Sequence, residues 1–322
     1  MKANMPLPED LTLDKLLTNF STDAKAREYL EYLLWPNGPV CARCGTNDQG
    51  RIAKTKPNKE GGTREGLYRC NDCRRTFTVT VGTIFEDSHI PLRKWLVAWI
   101  LLNSSKKGVA ALLLQRILDL GSYHTAFFMT HRIRHALKAE SFAGKLTGIV
   151  ECDETYVGGK TRGKGAAFRG NKTPVFSLVE RDGTKRSMVM ERVTAKNVHA
   201  AVREHVAAGE KVMTDESNVY VGLRPAFQKQ SVCHGRKEYV RGDVHTNTVE
   251  SSFSLLKRGV IGTFHSLSKK YLPLYLAEFD HRWNTRKDTD GERTVAGLKM
   301  SRGKRLTYRA IKAKECPPSP KE

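Results

Sequence analysis

Apolar residues recur at three- and four-residue steps through the first part of the chain, and this period predicts helices. The first helical stretch covers residues 12–34, and Ser21 or Thr22 is expected to break it into two pieces. Pro36 and Gly38 then end the helical pattern. Three further helices are predicted at residues 90–103, 109–120 and 123–138, and Gly121 is expected to end the second of them in the left-handed conformation.

The pattern changes after Gly148 to short segments rich in β-branched residues, which are separated by Gly or Asp-Gly turns and predict strands. The segments are GIVECDETYVGG, TPVFSLVERDG, KRSMVMERV and KVMTDES. A helix over residues 195–208 lies between the third and the fourth. Three strands in a meander, a crossover helix and a fourth strand parallel to the first is the order of an RNase H-like mixed sheet with flanking helices.

A later amphipathic helix carries two stripes at helical spacing. The core stripe consists of Val249, Phe253, Leu256 and Val260, and the outward stripe of Asn247, Glu250, Ser254 and Lys257. A third stripe, Tyr271, Tyr275, Phe279 and Trp283, is interpreted as core rather than as base-stacking groups. The sequence GGKTRGKGAAFRGNK is predicted to be a long hairpin loop, with phosphate contact as a second role.

Two CxxC pairs predict a structural metal site in the first part of the chain. Cys41 and Cys44 lie in CARCG, and Cys70 and Cys73 lie in CNDC. Two such turns supply the four thiolates of a tetrahedral Zn²⁺ site, here in a zinc ribbon with a β-hairpin at residues 67–69 and 76–81. Two disulfides, or four unligated thiols, are the alternatives. Zinc in such a ribbon stabilises the fold and implies no catalysis.

The charge of the chain indicates a polyanionic partner. Lys and Arg number 55 against 34 Asp and Glu, a net charge of +21 spread along the whole sequence. Basic residues displace condensed counterions from phosphates, so nucleic acid is favoured over simple solubility. The apolar run WLVAWILL is far shorter than the ~20 residues of a membrane-spanning helix. We expect no membrane association, and a reducing cytoplasm as the setting.

The helix over residues 123–138 follows a short glycine turn and is basic, which is the outline of a helix-turn-helix. Arg132 and Arg134 on this helix are candidate DNA contacts. An α-hairpin with a solvated basic face would show the same pattern, so the alternative stays open.

Three carboxylates are placed to converge on the sheet. Asp153 lies in the first strand, Asp215 at the end of the fourth, and Glu250 on the later helix. Converging carboxylates repel one another unless a cation compensates their charge, and Mg²⁺ or Mn²⁺ suits oxygen ligands. Two such ions ~4 Å apart support phosphoryl transfer.

Spacing alone does not select these three acids. It does not favour Asp153 over Glu151 or Glu154, nor Asp215 over Glu216. Each acid taken singly is also explained as a solvated strand end or helix face.

Several longer runs resolve this choice by resemblance. The runs are CARCG…YRCNDCRRTFTVTVGTIFEDSHIPLRKW, VECDETYVGGK, VMTDES and HTNTVESSFSLLKRGVIGTFHSLS…YLAEFDHRWNTR. From about residue 20 to 286 the chain closely resembles the DDE transposases of bacterial insertion sequences, in the subgroup with an N-terminal zinc ribbon. Ala42 stands where that family usually has proline, which affects the stiffness of the turn and not ligation.

The resemblance implies the roles of the site residues. Asp153, Asp215 and Glu250 match the catalytic triad that binds two Mg²⁺ or Mn²⁺ ions, and Lys257 matches the basic residue beside the DNA end. The candidate DNA-binding residues are His245, Asn247, Arg258, Arg132 and Arg134. The implied reaction is hydrolytic cleavage at the element's ends, followed by attack of the freed 3′-hydroxyl on a target strand.

The resemblance also implies partners and a domain plan. Double-stranded DNA, as element ends and target, is the expected partner of a homodimer or larger synaptic assembly associated with the nucleoid. The predicted segments are an N-terminal helical segment (1–35), a zinc ribbon (36–86), a helix-turn-helix region (87–145), an RNase H-like catalytic domain (146–288) and a basic tail (289–322). The tail is expected to be disordered with some affinity for DNA.

Two other functions fit parts of the pattern. A transcription regulator would use the ribbon and the helix-turn-helix in front of a catalytically dead domain, but it has no need of three converging carboxylates. A nuclease would cut DNA or RNA without joining, and sequence does not separate it from a transposase.

Overall fold

The computed structural model of the chain describes residues 11–56, 65–138, 144–158, 172–224 and 226–307. The predicted hairpin loop lies almost entirely outside these residues, as do Arg309, Lys312 and Lys314 of the predicted tail. Among the described residues, no helix has both the length and the apolar character needed to cross a membrane.

The helices and strands of the described residues are numbered in chain order. The helices are α1 (Leu13–Asn19), α2 (Asp23–Leu34), α3 (Leu92–Ser104), α4 (Ala111–Ile117), α5 (Tyr123–Leu137), α6 (Ala195–His205), α7 (Asn247–Gly259), α8 (Leu272–Asn284) and α9 (Asp290–Lys299). The strands are β1 (Ile52–Lys54), β2 (Tyr68–Cys70), β3 (Thr76–Phe77), β4 (Ile149–Val157), β5 (Thr173–Glu180), β6 (Lys185–Val189), β7 (Lys211–Thr214), β8 (Gln228–Ser231), β9 (Val240–Arg241) and β10 (Val244–His245).

The chain divides into two compact units. The first unit takes in the described residues of Met1–Leu101, Ala111–Ala136 and Asp290–Glu322, and the second unit those of Leu102–Ala110 and Leu137–Thr289. This division groups the predicted segments differently, and the five-part domain plan stays a prediction.

The break predicted in the first helical stretch is present in the first unit. Thr22 caps α2, because its side-chain oxygen accepts a hydrogen bond from the backbone N–H of Lys25 at 3.3 Å. The side chain of Thr12 caps α1 in the same way through Lys15. Since each cap satisfies a backbone donor that a helix start leaves unpaired, two short helices form in place of one.

The ribbon is a three-stranded antiparallel sheet in the order β1-β2-β3. Trp35, Tyr68 and Phe77 pack edge to face or stacked on one another, with ring centroids 5.3 to 5.8 Å apart. The strand predicted over residues 76–81 ends at Phe77, because the chain turns there: the N–H of Val81 bonds back to the carbonyl of Thr78.

The end of α4 differs from the prediction. Asp119, and not Gly121, has a positive φ of 47°. The N–H of Leu120 bonds to the carbonyl of Gln115 at 3.0 Å, which is the longer bond of a helix-terminating Schellman motif. Asp tolerates the left-handed region better than most residues with a side chain, so the helix ends before the glycine is reached.

The prediction of a disordered tail is wrong for the residues up to Thr307. Residues 290–299 form α9, which packs on α2 and buries Val295 and Leu298 to 3% and 1% exposure. The Nζ of Lys304, itself buried, donates to the carbonyl of Ala136 at 2.7 Å, and Arg305 pairs with Asp87. Lys304 and Arg305 thus have partners within the first unit, and α9 buries an apolar face that the charge pattern concealed.

The second unit contains a five-stranded mixed sheet in the order β6-β5-β4-β7-β8. The strands β4, β5 and β6 form an antiparallel meander, and β7 pairs parallel to β4 after the crossover helix α6, which confirms the predicted RNase H-like order. The strand β8, parallel to β7 at the edge, was not predicted, because its sequence QKQS has no apolar alternation.

Alternating side chains of β4 contribute to the two larger apolar cores of the second unit, beside a smaller cluster of Met213, Val232 and Val244. Val150 and Cys152 of β4 face α6, together with Val198 and Val202 of that helix. Val157 of β4 faces the opposite side, where it packs with residues of α7 and α8. Since successive strand residues point to opposite faces, Glu151 and Asp153 share the α7 side of the sheet with Val157.

Candidate active site and metal centres

The four cysteines of the ribbon come together as one ligand group. Their sulfur atoms all lie within 4.8 Å of one another, with 3.7 Å between Cys41 and Cys73 and 3.6 Å between Cys44 and Cys70. Tetrahedral Zn²⁺ with bonds of about 2.3 Å requires sulfurs about 3.8 Å apart, whereas a disulfide requires about 2.05 Å. The geometry therefore fits a zinc ribbon and excludes the two-disulfide alternative.

Polar contacts brace the cysteine turns. The Thr46 hydroxyl lies 3.3 Å from the Cys44 sulfur and donates to Asp72 at 2.6 Å, and Arg51 pairs with Asp72 at 2.7 Å. Hydrogen bonding with the side chain and the backbone of Thr46 lowers the pKa of Cys44 to about 6, which favours the thiolate that binds a metal.

The strand register places two candidate carboxylates side by side. In the parallel pair, Glu151 of β4 lies opposite Met213 of β7. Continuing this register by two residues brings Asp153 level with Asp215, which directly follows β7. Both residues then point to the α7 face of the sheet. The structure thus brings together the two aspartates that the sequence predicted at the sheet centre.

Glu250 comes from the first turn of α7. Its carboxylate accepts a 2.8 Å hydrogen bond from the Thr246 hydroxyl and lies 3.8 Å from the Nε2 of His234. The side chain is 44% exposed. Among the described residues the four cysteines form the one group of ligand atoms gathered closely enough to hold a metal ion, and Asp153, Asp215 and Glu250 do not form a second such group. Their role as a metal-binding triad stays a prediction.

The charges of this region act on Asp153. Burial, followed by repulsion from Glu154, Asp215 and Glu250, raises the pKa of Asp153 to about 7. The one opposing contact is the hydrogen bond from the backbone N–H of Glu154, at 2.7 Å. Asp153 and the acids near it supply oxygen ligands and a negative charge that a hard divalent cation would compensate, so the residues fit Mg²⁺ or Mn²⁺.

An open cleft of about 610 Å³ lies over the aspartates. Its lining includes Asp153, Asp215, Lys172, Lys257 and Ile261. Glu250 does not line this cleft, although its charge acts on Asp153. The cleft therefore has both carboxylates and lysines in its lining.

The acids that spacing left ambiguous have other contacts in the structure. Glu151 is fully buried and pairs with Arg181 at 2.7 Å. Glu154 accepts a 2.6 Å hydrogen bond from the Tyr220 hydroxyl. Glu216 accepts the backbone N–H groups of His234 and Gly235, each at 2.9 Å. Glu151 and Glu216 do not line the cleft, whereas Asp153, Glu154 and Asp215 do.

The candidate DNA contacts fall into two groups. Asn247, Lys257 and Arg258 are exposed on α7, as a surface for DNA requires. His245 is 24% exposed, and its Nδ1 lies 3.2 Å from the buried carboxylate of Glu151.

Arg132 and Arg134, the other two predicted DNA contacts, are buried in the structure, and their role in DNA binding stays a prediction. They are 5% and 1% exposed, and Arg132 donates to the backbone carbonyl of Glu86 and lies over the ring of Trp95. A buried guanidinium engaged in this way does not contact DNA in this conformation. The helices α4 and α5 are present, but a helix-turn-helix stays a prediction.

Sequence reasoning missed Arg181, and it considered Lys172 only as the last residue of a predicted loop with phosphate contact as its second role. Lys172 directly precedes β5 and lines the cleft, and Arg181 lies in the turn after β5 and pairs with Glu151. Their position at the ends of a strand that pairs with β4 was the available signal, but basic residues are too common in this chain for it to stand out.

Comparison with known proteins agrees with this geometry. Residues 145–284 match the ISXO2-like transposase domain, and residues 21–76 match a transposase zinc-ribbon domain. A protein of Halobacterium salinarum, described as an uncharacterized protein in transposable element ISH50, is 32% identical over 288 residues, which cover 83% of this chain and 92% of the relative. The first match contains the sheet and α7, and the second contains all four cysteines.

Proposed function

Because the chain belongs to the transposase family defined by the ISXO2-like domain and the zinc ribbon, we propose that it cleaves DNA at the ends of its element and joins them to a target strand. The observation that supports the proposal is the cleft that Asp153, Asp215 and Lys257 line together, with Asp153 on β4 and Asp215 directly after the parallel strand β7.

Asp153, Asp215 and Glu250 are the residues that would hold two Mg²⁺ or Mn²⁺ ions. When bound, such ions activate water or a 3′-hydroxyl on one side of a phosphodiester and stabilise the leaving oxygen on the other. The order of events, hydrolysis first and strand transfer second, rests on the resemblance to DDE transposases.

The chain's own cations orient the substrate in this proposal. Lys257 lies two turns along α7 from Glu250, lines the cleft, and is exposed. Its ammonium group is placed to pair with the phosphate next to the scissile bond. Arg258 and Asn247, exposed on the same helix, extend that contact along the DNA backbone.

The joining of two element ends calls for more than one active site. We infer a homodimer or larger assembly on paired ends, because one open triad serves one reacting strand at a time. Mass photometry of the chain with and without end DNA tests this inference, and a complex with two ends but a single chain would contradict it.

The function is tested with purified chain, a labelled duplex that carries the element ends, a target plasmid, and Mg²⁺ or Mn²⁺. Asp153→Asn and Asp215→Asn should each reduce joined product by more than about 100-fold, because each removes a carboxylate that the metal requires. Glu191→Gln is the matched control, since it removes an exposed carboxylate of the same unit and should leave the yield unchanged.

The other functions predict different results in this assay. Cleavage without joined product would identify a nuclease. Tight binding to end DNA without cleavage under either metal would identify a DNA-binding regulator, and both results would overturn the proposal.

A further inference from the structure

Glu151 is a fully buried carboxylate with an unusually complete set of donors. It accepts hydrogen bonds from the backbone N–H groups of Thr248 and Val249 at 2.7 and 3.0 Å, and from the Thr248 hydroxyl at 2.9 Å. Arg181 donates to it at 2.7 Å, and the Nδ1 of His245 lies 3.2 Å away. Both oxygens are thus engaged, and no contact on this carboxylate comes from the cleft.

These contacts cap the start of α7. The first backbone N–H groups of a helix have no partner within the helix, and the residue before it usually supplies one. Thr246, which occupies that position, makes no such cap, and its hydroxyl donates to Glu250. The cap comes instead from Glu151, which lies 97 residues before Thr248 in the sequence.

The cap also balances charge. A carboxylate at a helix N-terminus is favoured by the helix dipole, and the cation of Arg181 compensates its burial. Arg181 also donates to the backbone carbonyl of His245 at 3.1 Å, so it holds the residue two positions before α7. The turn after β5, the strand β4 and the start of α7 are therefore joined at one point.

The start of α7 relates Glu151 to Glu250, which do not contact each other among the hydrogen bonds described above. Glu151 is two residues before Asp153 on the same strand and face, and Glu250 directly follows the capped residues Thr248 and Val249. We propose that Glu151 is a positioning residue that fixes the first turn of α7 against β4 and thereby sets Glu250 relative to Asp153. The inference rests on the proposed function, since it concerns the assembly of the same triad.

The test uses the zinc-loaded full chain and the variant Glu151→Gln, which keeps the shape of the side chain but removes its charge. Glu180→Gln is the matched control, because Glu180 of β5 also accepts backbone N–H groups, those of Thr147 and Thr184, but does not contact α7. Mn²⁺ affinity is measured by electron paramagnetic resonance of the free ion, and backbone amide exchange by mass spectrometry, both well below the unfolding temperature of each variant.

Glu151→Gln should weaken Mn²⁺ binding by about 10-fold or more. It should also speed amide exchange in residues 247–253 by about 5- to 30-fold, while exchange in α6 is unchanged. Glu180→Gln should change neither quantity. A role in stability alone would lower the unfolding temperature of Glu151→Gln but leave the Mn²⁺ affinity of its folded form intact, and that result would overturn the proposal.

Two further variants test the proposal even if Glu151→Gln does not fold or the wild type binds no Mn²⁺. If Glu151→Gln does not fold, Thr248→Val removes one donor to the same carboxylate and should shift both readouts in the same direction; unchanged readouts would count against the proposal. Asp153→Asn should abolish Mn²⁺ binding at the triad. If the wild type bound no Mn²⁺, the proposed function would fail, and local exchange at residues 247–253 would still decide whether Glu151 holds this helix.

Discussion

Lys185 and Asp280 form an ion pair of 3.5 Å in the interior of the second unit, where Lys185 is 1% exposed. The carboxylate of Asp280 also accepts the N–H and the hydroxyl of Ser187, at 2.6 and 2.7 Å. Burial lowers the pKa of Lys185 and raises that of Asp280. The pair joins β6 to α8, and each charge depends on the other for its place in the core.

Substitution of one member of this pair should lower the free energy of unfolding far more than replacement of both members by apolar residues. Asp280→Ala should lower the free energy of unfolding by about 3–5 kcal/mol, because it leaves a buried ammonium without its partner. The double variant Lys185→Met with Asp280→Leu should recover most of that loss. Urea unfolding of the single and double variants measures the coupling, and additive losses would show that the pair does not act as a unit.

Zinc removal should unfold the ribbon. Cys70→Ser removes a buried ligand and should reduce bound zinc from one ion per chain to well below one, because a structural site requires all four thiolates. Metal content by atomic emission, with thiol titration before and after chelation, measures the change. Cys233→Ser is the control outside the ligand group, and it should retain zinc. Full zinc content in Cys70→Ser would contradict the four-cysteine site.

Arg132 and Lys257 should respond in opposite ways to substitution. Arg132→Gln should destabilise the first unit by about 1–3 kcal/mol, because it removes a buried hydrogen bond, and should leave DNA affinity per folded molecule unchanged.

Lys257→Gln should leave the free energy of unfolding unchanged, since the side chain is exposed. It should weaken DNA binding and lower by about one the slope of the logarithm of the binding constant against the logarithm of the salt concentration. Thermal unfolding and DNA titrations at several salt concentrations test both variants. Weaker DNA binding by fully folded Arg132→Gln would support the original prediction for that residue.

Helix α9 should be a stabilising element of the first unit. Leu298→Ala should cost about 2–5 kcal/mol of unfolding free energy, because Leu298 is 1% exposed and its truncation leaves a cavity. Lys299→Ala, on the exposed side of the same helix, should change stability by less than about 0.5 kcal/mol. Urea unfolding compares the two, and equal small effects would indicate the disordered tail that the charge pattern predicted.

The sequence alone was sufficient wherever a local pattern carries the structure. Helical spacing predicted the core stripe of Val249, Phe253 and Leu256, and the paired CxxC turns predicted the metal ligands. The alternation of β-branched segments predicted the strands β4 to β7 and their order. These features are predictable because neighbouring residues determine them.

Long-range partners decided the rest. The sequence predicted Arg132 to lie on the surface. In the structure its side chain is buried and donates to the backbone carbonyl of Glu86, 46 residues away. The polar strand β8 exists because the edge of β7 pairs with it, and its own sequence shows no sign of this.

The acids of strand β4 show most clearly which features follow from the sequence and which require the tertiary structure. The sequence by itself determined that carboxylates crowd the first strand, and the resemblance of its motifs indicated that Asp153 is the catalytic one. Only the tertiary structure assigned Glu151 to the cap of α7 and Glu154 to Tyr220, since those partners lie 97 and 66 residues away. The physical reason is that a carboxylate's role depends on the donors around it, and folding alone brings those donors to it.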